Sequence, residues 1–241
     1  MIVDCKIIGR VAAIARYPVK SLVGEDLDAA VVSERGLDGD RLWAVSDPDG
    51  KLGSGKNSSR FRRMPGLLEL SAIYPRAADH VPVVRFPDGR LLTGDDPAIH
   101  DALSAHVGRP VTLVRETTGA HFDECPVHLV TTRSLAELGE QHGAEVDPRH
   151  FRPNLVIDDG DQPEFDERKW IGRELSIGPE VTVRIREPMP RCVMVTLPQV
   201  GLDADRHLLK SVARANDNDL GLVADVATPG RLRLGDVVRL V

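Results

Sequence analysis

Alternation of apolar and polar residues runs through most of the chain and predicts a protein built mainly from strands. Successive side chains of a strand point to opposite faces, so a half-buried strand repeats every two residues. Turn signals such as Asp47-Pro-Asp-Gly50 and Pro87-Asp-Gly-Arg90 separate the short alternating runs, and the second lies within a predicted hairpin. The predicted strands cover residues 3–14, 28–33, 41–46, 83–86, 91–93, 175–178, 181–185 and 231–241.

Three segments instead carry the period of an amphipathic helix. The first spans 96–107, with Pro97 at the first helical position and Gly108 after the last. The second spans 134–143 and begins at a Ser134-Leu-Ala-Glu137 capping box, and the third covers 205–215. Short strands, frequent turns and few helices together predict a mainly β protein with a few helices (α+β) and a β-barrel architecture.

One stretch near the carboxyl terminus combines this strand pattern with candidate chemistry. The strand at 181–185 is predicted to end at Pro188 and Pro190, because proline lacks the N–H that a ladder needs. Arg191 and Cys192 then stand at a rigid corner, before a second β-prone run. Positive charge near a cysteine favours the thiolate, which can ligate a soft metal, attack an electrophile or carry sulfur. A cysteine packed inertly in the core is the alternative interpretation.

Composition and charge exclude several classes of protein. The chain has 241 residues, 41% hydrophobic and 28% charged, and its net charge of −6 gives no basic footprint for nucleic acid. It has no signal pattern and no apolar run of about 18 residues that would cross a membrane. Cys5, Cys125 and Cys192 form no Cys-x-x-Cys pair, which argues against a disulfide framework and predicts a reducing, cytoplasmic location. The length suits two domains, predicted at 1–110 and 111–241.

Familiar catalytic motifs are incomplete in this sequence. Gly50-Lys-Leu-Gly-Ser-Gly-Lys-Asn57 resembles a phosphate-binding P-loop, but Asn57 replaces the magnesium-binding hydroxyl and Pro65 comes too soon for the helix that must follow. The eight histidines include no His-Glu-x-x-His, which argues against a zinc hydrolase. Neither motif therefore supports a function.

Basic and polar residues at predicted strand ends and turns form a second candidate site. Each of Lys20-Ser21, Arg41 and Arg152-Pro-Asn154 alone would be ordinary surface charge. Together they offer a lysine, two arginines, a hydroxyl and an amide. Arginine gives bidentate contacts to phosphate and lysine a point charge, so the set suits a phosphate-bearing cofactor, pyridoxal phosphate being one candidate.

An ordered set of motifs over nearly the whole chain resembles the MOSC domain family, named for the carboxyl-terminal domain of molybdenum cofactor sulfurase. Tyr17-Pro-Val-Lys-Ser21 and Arg35-Gly-Leu-Asp-Gly-Asp-Arg-Leu-Trp43 resemble the amino-terminal β-barrel segment that accompanies the domain. Five later motifs resemble the domain itself: Asp123-Glu-Cys-Pro-Val-His128, Phe151-Arg-Pro-Asn154, Trp170-Ile-Gly172, Arg191-Cys192 and Pro229-Gly-Arg-Leu-Arg-Leu-Gly-Asp236. The same pattern occurs in the amidoxime-reducing component and its bacterial relatives.

This resemblance implies a molybdenum cofactor with a pterin and a phosphate, and the two-electron reduction of a small N-hydroxylated or oxygenated substrate. Cys192 would be the catalytic residue and the thiolate ligand of molybdenum. The implied cofactor-binding residues are Lys20, Ser21, Arg41, Arg152, Asn154 and Arg191. Electrons would come from a separate donor protein of the ferredoxin or cytochrome type.

Two segments differ from the reductases of this family and keep other functions open. Those reductases carry Cys-x-Arg-Cys at the corner and often Thr-x-x-Asp-Pro after it, whereas this chain has Met189-Pro-Arg-Cys192 and Thr196-Leu-Pro-Gln199. One alternative is sulfur-transfer or carbon–sulfur chemistry, with Cys192 as persulfide carrier or nucleophile and no metal. The other is a non-catalytic module that stores or passes on the cofactor.

Overall fold

The computed structural model of the protein describes residues 6–117, 119–160 and 166–241, so Cys5 and the predicted start of the first strand lie outside the described residues. Strands dominate these ranges, which confirms the mainly β prediction. The strands are β1 (Lys6–Arg16), β2 (Glu25–Asp26), β3 (Ala29–Ser33), β4 (Gly36–Leu37), β5 (Trp43–Ser46), β6 (Leu52–Ser54), β7 (Phe61–Arg63), β8 (Ser71–Ile73), β9 (Val83–Arg85), β10 (Leu91–Thr93), β11 (Thr112–Arg115), β12 (Val127–Thr131), β13 (Leu155–Asp158), β14 (Glu174–Ile177), β15 (Val181–Pro190), β16 (Asp219–Thr228), β17 (Gly230–Arg233) and β18 (Val237–Leu240). The α-helices are α1 (Ala98–Val107), α2 (Thr132–His142) and α3 (Leu208–Asn216). None of the helices in the described ranges has the length and apolar character needed to cross a membrane.

Seven strands close into a barrel in the order β13-β12-β16-β15-β14-β18-β1, because β1 pairs with both β18 and β13. The β12–β13 pair is parallel and the other pairs of the barrel are antiparallel. Inward-facing aliphatic side chains fill the interior, as the alternating pattern predicts; Leu129, Leu175, Ile185 and Val238 are fully or almost fully buried there. The packed barrel therefore holds the ends of its strands in fixed positions.

The amino-terminal half forms smaller sheets around a second core. One sheet has the order β11-β5-β6-β7 and another the order β10-β9-β8, with the predicted hairpin of β9 and β10 confirmed. Their core packs against Ile99 and Leu103 of α1. The halves exchange strands: β1 belongs to the barrel, while β17 pairs with β3. The division at residue 110 stays a prediction.

The predicted capping box at the start of α2 is wrong. The helix begins two residues earlier, at Thr132, because the Thr131 hydroxyl accepts a hydrogen bond from the Ser134 backbone N–H at 3.1 Å. The Ser134 hydroxyl instead donates to the buried Glu167 carboxyl group at 2.5 Å. A partner distant in sequence therefore determines the role of this serine.

The predicted end of β15 is confirmed at Pro190 but is wrong at Pro188. The strand continues through Pro188, opposite Leu222, to Pro190, opposite Asp219. Register shifts on either side of Pro188 interrupt the ladder, so no paired N–H is required of the prolines. The run at 193–197, predicted as a second strand, starts with a 3-10 turn over Val193–Thr196. The cysteine corner thus lies directly at the end of a long barrel strand.

Candidate active site

A cavity of about 220 Å³ brings together side chains from both halves of the chain. All seven residues predicted for the site line it: Lys20, Ser21, Arg41, Arg152, Asn154, Arg191 and Cys192. They stand on the segments that follow β1, precede β5 and β13, and follow β15. The closure of the barrel brings together the segments beside β1, β13 and β15, and a hydrogen bond from the Arg41 N–H to the Tyr17 carbonyl joins Arg41 to them.

Three of these residues have left-handed backbone conformations. The φ angles of Ser21, Arg41 and Arg152 are 63°, 50° and 55°. Such a conformation is unfavourable for residues other than glycine, typically by about 1–3 kcal/mol, and is concentrated at functional sites. These three residues were predicted for the site from their side chains alone, and the surrounding fold also holds their backbones in a strained conformation.

The guanidinium of Arg152 has a buried donor without a protein partner. Its Nη2 donates to the Leu22 carbonyl at 2.7 Å, and the group lies 4.2 Å from the centre of the Tyr17 ring. Its Nη1 is buried and has no hydrogen-bond partner among the described residues. Burial lowers the pKa of Arg152 to about 10, so the group remains charged at neutral pH. Buried donors are rarely left unpaired, so this atom indicates a place for an acceptor.

The surroundings of Lys20 indicate an excess of positive charge in the same cavity. Its ammonium group is buried and forms an ion pair with Asp123. Burial lowers the pKa of Lys20 well below its ordinary value, and the charges of Arg41, Arg152 and Lys56 lower it further. An anion bound here would relieve this repulsion.

Two polar residues of the predicted site make hydrogen bonds within the protein. The Asn154 side chain accepts from the His128 N–H at 3.1 Å and donates to the Ala15 carbonyl at 3.3 Å, joining β1 to β12. The Ser21 hydroxyl donates to the Gly53 carbonyl at 3.0 Å. Both side chains therefore fix the walls of the cavity.

Arg191 is anchored in the protein rather than extended into solvent. Its Nε donates to the Leu220 carbonyl at 2.9 Å and its Nη1 to the Phe151 carbonyl at 3.1 Å. The Arg191 N–H donates to the Asn218 carbonyl, and the Asn218 amide donates to the Arg191 carbonyl. Arg191 therefore holds the corner before Cys192 on both its backbone and its side chain.

His128 is a residue that the sequence analysis did not select. Its Nε2 contacts Nη2 of Arg191, and because a guanidinium only donates, this nitrogen accepts. The proton then lies on Nδ1, which is 3.4 Å from the Arg152 carbonyl. Burial and the charge of Arg191 lower the pKa of His128 well below its ordinary value, so the ring is neutral. The sequence shows only a histidine within the apolar run Val127–Thr131, and its contact with Arg191 comes from the structure.

Two thiols line the cavity in different surroundings. Cys192 is half-buried and directly precedes the Val193–Thr196 turn. Cys125 is buried, and its thiol donates to the Val127 carbonyl at 3.1 Å. Burial raises the pKa of Cys125 to about 11, which keeps that thiol protonated. Cys192 is therefore the better placed of the two to meet a ligand.

Comparison with known proteins agrees with this architecture. The MOSC domain model matches residues 102–239, and the model of the MOSC N-terminal beta barrel domain matches residues 8–104. The chain belongs to the MOSC domain family. The crystal structure of the YUAD protein from Bacillus subtilis shares the fold, with a TM-score of 0.53, 13% identity, and coverage of 98% of this chain and 97% of that chain.

Curated relatives of this MOSC protein carry the name of an amidoxime-reducing component. Human mitochondrial amidoxime reducing component 2 is 26% identical over 285 residues, covering 96% of this chain and 83% of the relative. Human mitochondrial amidoxime-reducing component 1 is 24% identical over 288 residues, covering 97% and 83%. The similarity therefore extends over both halves of the chain.

The neutral state of His128 predicts an acid-sensitive fold. Below pH 6.5, the ordinary pKa of histidine, the unfolded chain binds a proton that the folded chain does not, so stability falls with pH. Between about pH 7.5 and about pH 5.5 this residue should lower the free energy of unfolding by up to about 1.4 kcal/mol, the limit reached when the folded ring stays neutral at both pH values. Urea denaturation should show that the free energy of unfolding falls less between the two pH values in His128→Gln than in the wild type. The difference between the two proteins is the contribution of His128. The exposed His207 provides the control, since His207→Gln should keep the wild-type difference; equal losses in all three proteins would contradict the prediction.

Proposed function

We propose that the protein is a molybdenum-cofactor-dependent oxidoreductase that reduces small N-hydroxylated compounds, amidoximes in particular, by two electrons. The observation that carries the proposal is the unpartnered, buried Nη1 of Arg152 in a cationic cavity that also contains the half-buried thiol of Cys192. Family membership and the amidoxime-reducing relatives support the same class of reaction.

The donors of the cavity fit the chemistry of this cofactor. A dianionic phosphate needs several fixed positive donors to leave water, and Lys20, Arg41 and Arg152 offer them. A thiolate is a suitable protein ligand for a soft redox metal, and Cys192 offers it at the same cavity. When bound, the cofactor would supply the redox-active metal.

Each protein residue then has a separate task. Arg152 would direct Nη1 to the phosphate, while Arg41 would stay ordered by its ion pair with Asp40 and its 3.2 Å hydrogen bond to the Arg152 carbonyl. We assign positioning roles to Asn154 and Arg191, since both make their hydrogen bonds to the protein. They would hold the cavity wall and the cysteine corner in place.

The proposed reaction needs only two electrons and two protons besides the substrate. An amidoxime takes up two electrons and two protons, its N–O bond breaks, and an amidine and water leave. A separate ferredoxin- or cytochrome-type protein would supply the electrons. In the sulfur-transfer alternative Cys192 would carry a persulfide and no metal would bind.

Metal content and turnover test the proposal together. Protein purified from a host that makes the cofactor should contain about one molybdenum and one pterin per chain. With reduced methyl viologen as donor it should convert benzamidoxime to benzamidine, measured by chromatography. Metal-free protein that gains one sulfur atom on Cys192 after treatment with a cysteine desulfurase would overturn the proposal in favour of sulfur transfer. Bound cofactor without any turnover would instead indicate a storage module.

A further inference from the structure

A second cavity of about 140 Å³ adjoins the first and shares Ser21 and Met194 with it as lining residues. The first cavity is lined by several charged groups, whereas apolar side chains predominate around the second. These include Met64, Leu67, Leu68, Leu197 and Pro198. Arg63 and Glu69 also line the second cavity, so a mainly apolar chamber lies beside the charged one.

Met194 forms the wall between these cavities. It lies two residues after Cys192, within the Val193–Thr196 turn, and is half-buried. Its sulfur accepts a hydrogen bond from the Gly55 N–H at 2.9 Å. Methionine has a flexible, polarizable side chain that adapts to irregular space, so this wall can adjust to a ligand.

Gly55 keeps the second cavity open. A Cβ at this position would lie 2.2 Å from the Met194 sulfur and 2.7 Å from Cδ1 of Leu197, distances that side-chain atoms do not tolerate. The φ of Gly55 is not positive, so its backbone conformation does not by itself require glycine. A larger residue would therefore fill the cavity or displace the wall without straining the backbone.

We propose that the second cavity binds the apolar substituent of the substrate while its N-hydroxylated group lies beside Cys192. The inference rests on the proposed function and names the substrate class more narrowly, as amidoximes with an unbranched or compact apolar substituent. Gly55, Met194 and Leu197 would set the length that is accepted. Apolar surface leaving water drives this part of binding, whereas the charged groups of the first cavity would favour the polar N-hydroxylated end of the substrate.

A series of straight-chain alkyl amidoximes of increasing length tests the inference on the cofactor-loaded protein. Calorimetry should show the Kd falling about fourfold for each added methylene until the cavity is full, and kcat/KM should rise in parallel. Gly55→Val should abolish this dependence on length, because its side chain would occupy the space that the alkyl chain needs. Leu197→Ala, which enlarges the cavity, should move the plateau to longer chains.

Val200→Ala is the matched control. Val200 is exposed on the same loop as Leu197 and lines neither cavity. Circular dichroism would establish that each variant is folded. A length dependence unchanged by both Gly55→Val and Leu197→Ala would overturn the inference, as would a Kd independent of length in the wild type. Reduction of short amidoximes without length dependence would refute the inference alone. Length-dependent binding without any reduction would instead refute the proposed function.

Discussion

Replacing Cys192 by alanine should leave the purified protein without molybdenum and reduce turnover to background. The thiol is the proposed protein ligand of the metal, and alanine offers no replacement. Loss of a residue that only supports a metal ligand typically costs about 10–100-fold in affinity or activity, so loss of the ligand itself should exceed about 100-fold. Elemental analysis and turnover with reduced methyl viologen would measure both effects.

Cys125 provides the control for this experiment, because it is the other thiol that lines the same cavity. Its thiol is buried and hydrogen-bonded to a carbonyl, so Cys125→Ala should retain the metal. Metal kept by Cys192→Ala and lost from Cys125→Ala would transfer the ligand role to Cys125. Metal kept by both variants would refute a cysteine ligand from this cavity.

The fold could be predicted because most of its information is local. Alternation marks the strands of the barrel, and Gly108, with φ of 68°, ends α1 as expected. Errors arose where a distant partner decides the outcome: Ser134 bonds to Glu167, and β16 offers a shifted register that accommodates Pro188 and Pro190. Such partners cannot be identified from the residues on either side of them.

The site shows a similar division. Motif resemblance selected seven residues that line one cavity, although their roles remain proposals. The neutral ring of His128, the strained φ of Arg152 and the wall formed by Met194 depend on the three-dimensional arrangement, so no sequence pattern contains them. The cytoplasmic location, the electron donor and the lack of a nucleic-acid partner likewise stay predictions.

Replacing Arg152 by methionine should weaken cofactor binding strongly and should change the stability of the cofactor-free protein only slightly. Methionine keeps an apolar stem against Tyr17 but removes the guanidinium and its unpartnered Nη1. A lost hydrogen bond to a charged group costs about 1.5–3 kcal/mol, so the Kd for the cofactor should rise by about 10–150-fold. Pterin fluorescence during reconstitution of cofactor-free protein would give the Kd.

The stability of the cofactor-free protein distinguishes a binding role of Arg152 from a structural one. Without the cofactor, methionine loses the hydrogen bond to Leu22 but also removes a buried charge, and these changes oppose each other. The free energy of unfolding should therefore change by no more than about 1 kcal/mol, while the loaded variant loses most of the stabilisation by the cofactor. Arg149→Met is the control, since Arg149 is exposed and paired with Asp147, and it should bind the cofactor normally. If Arg152→Met instead destabilised the cofactor-free protein strongly and bound the cofactor as the wild type does, Arg152 would hold the loop rather than the phosphate.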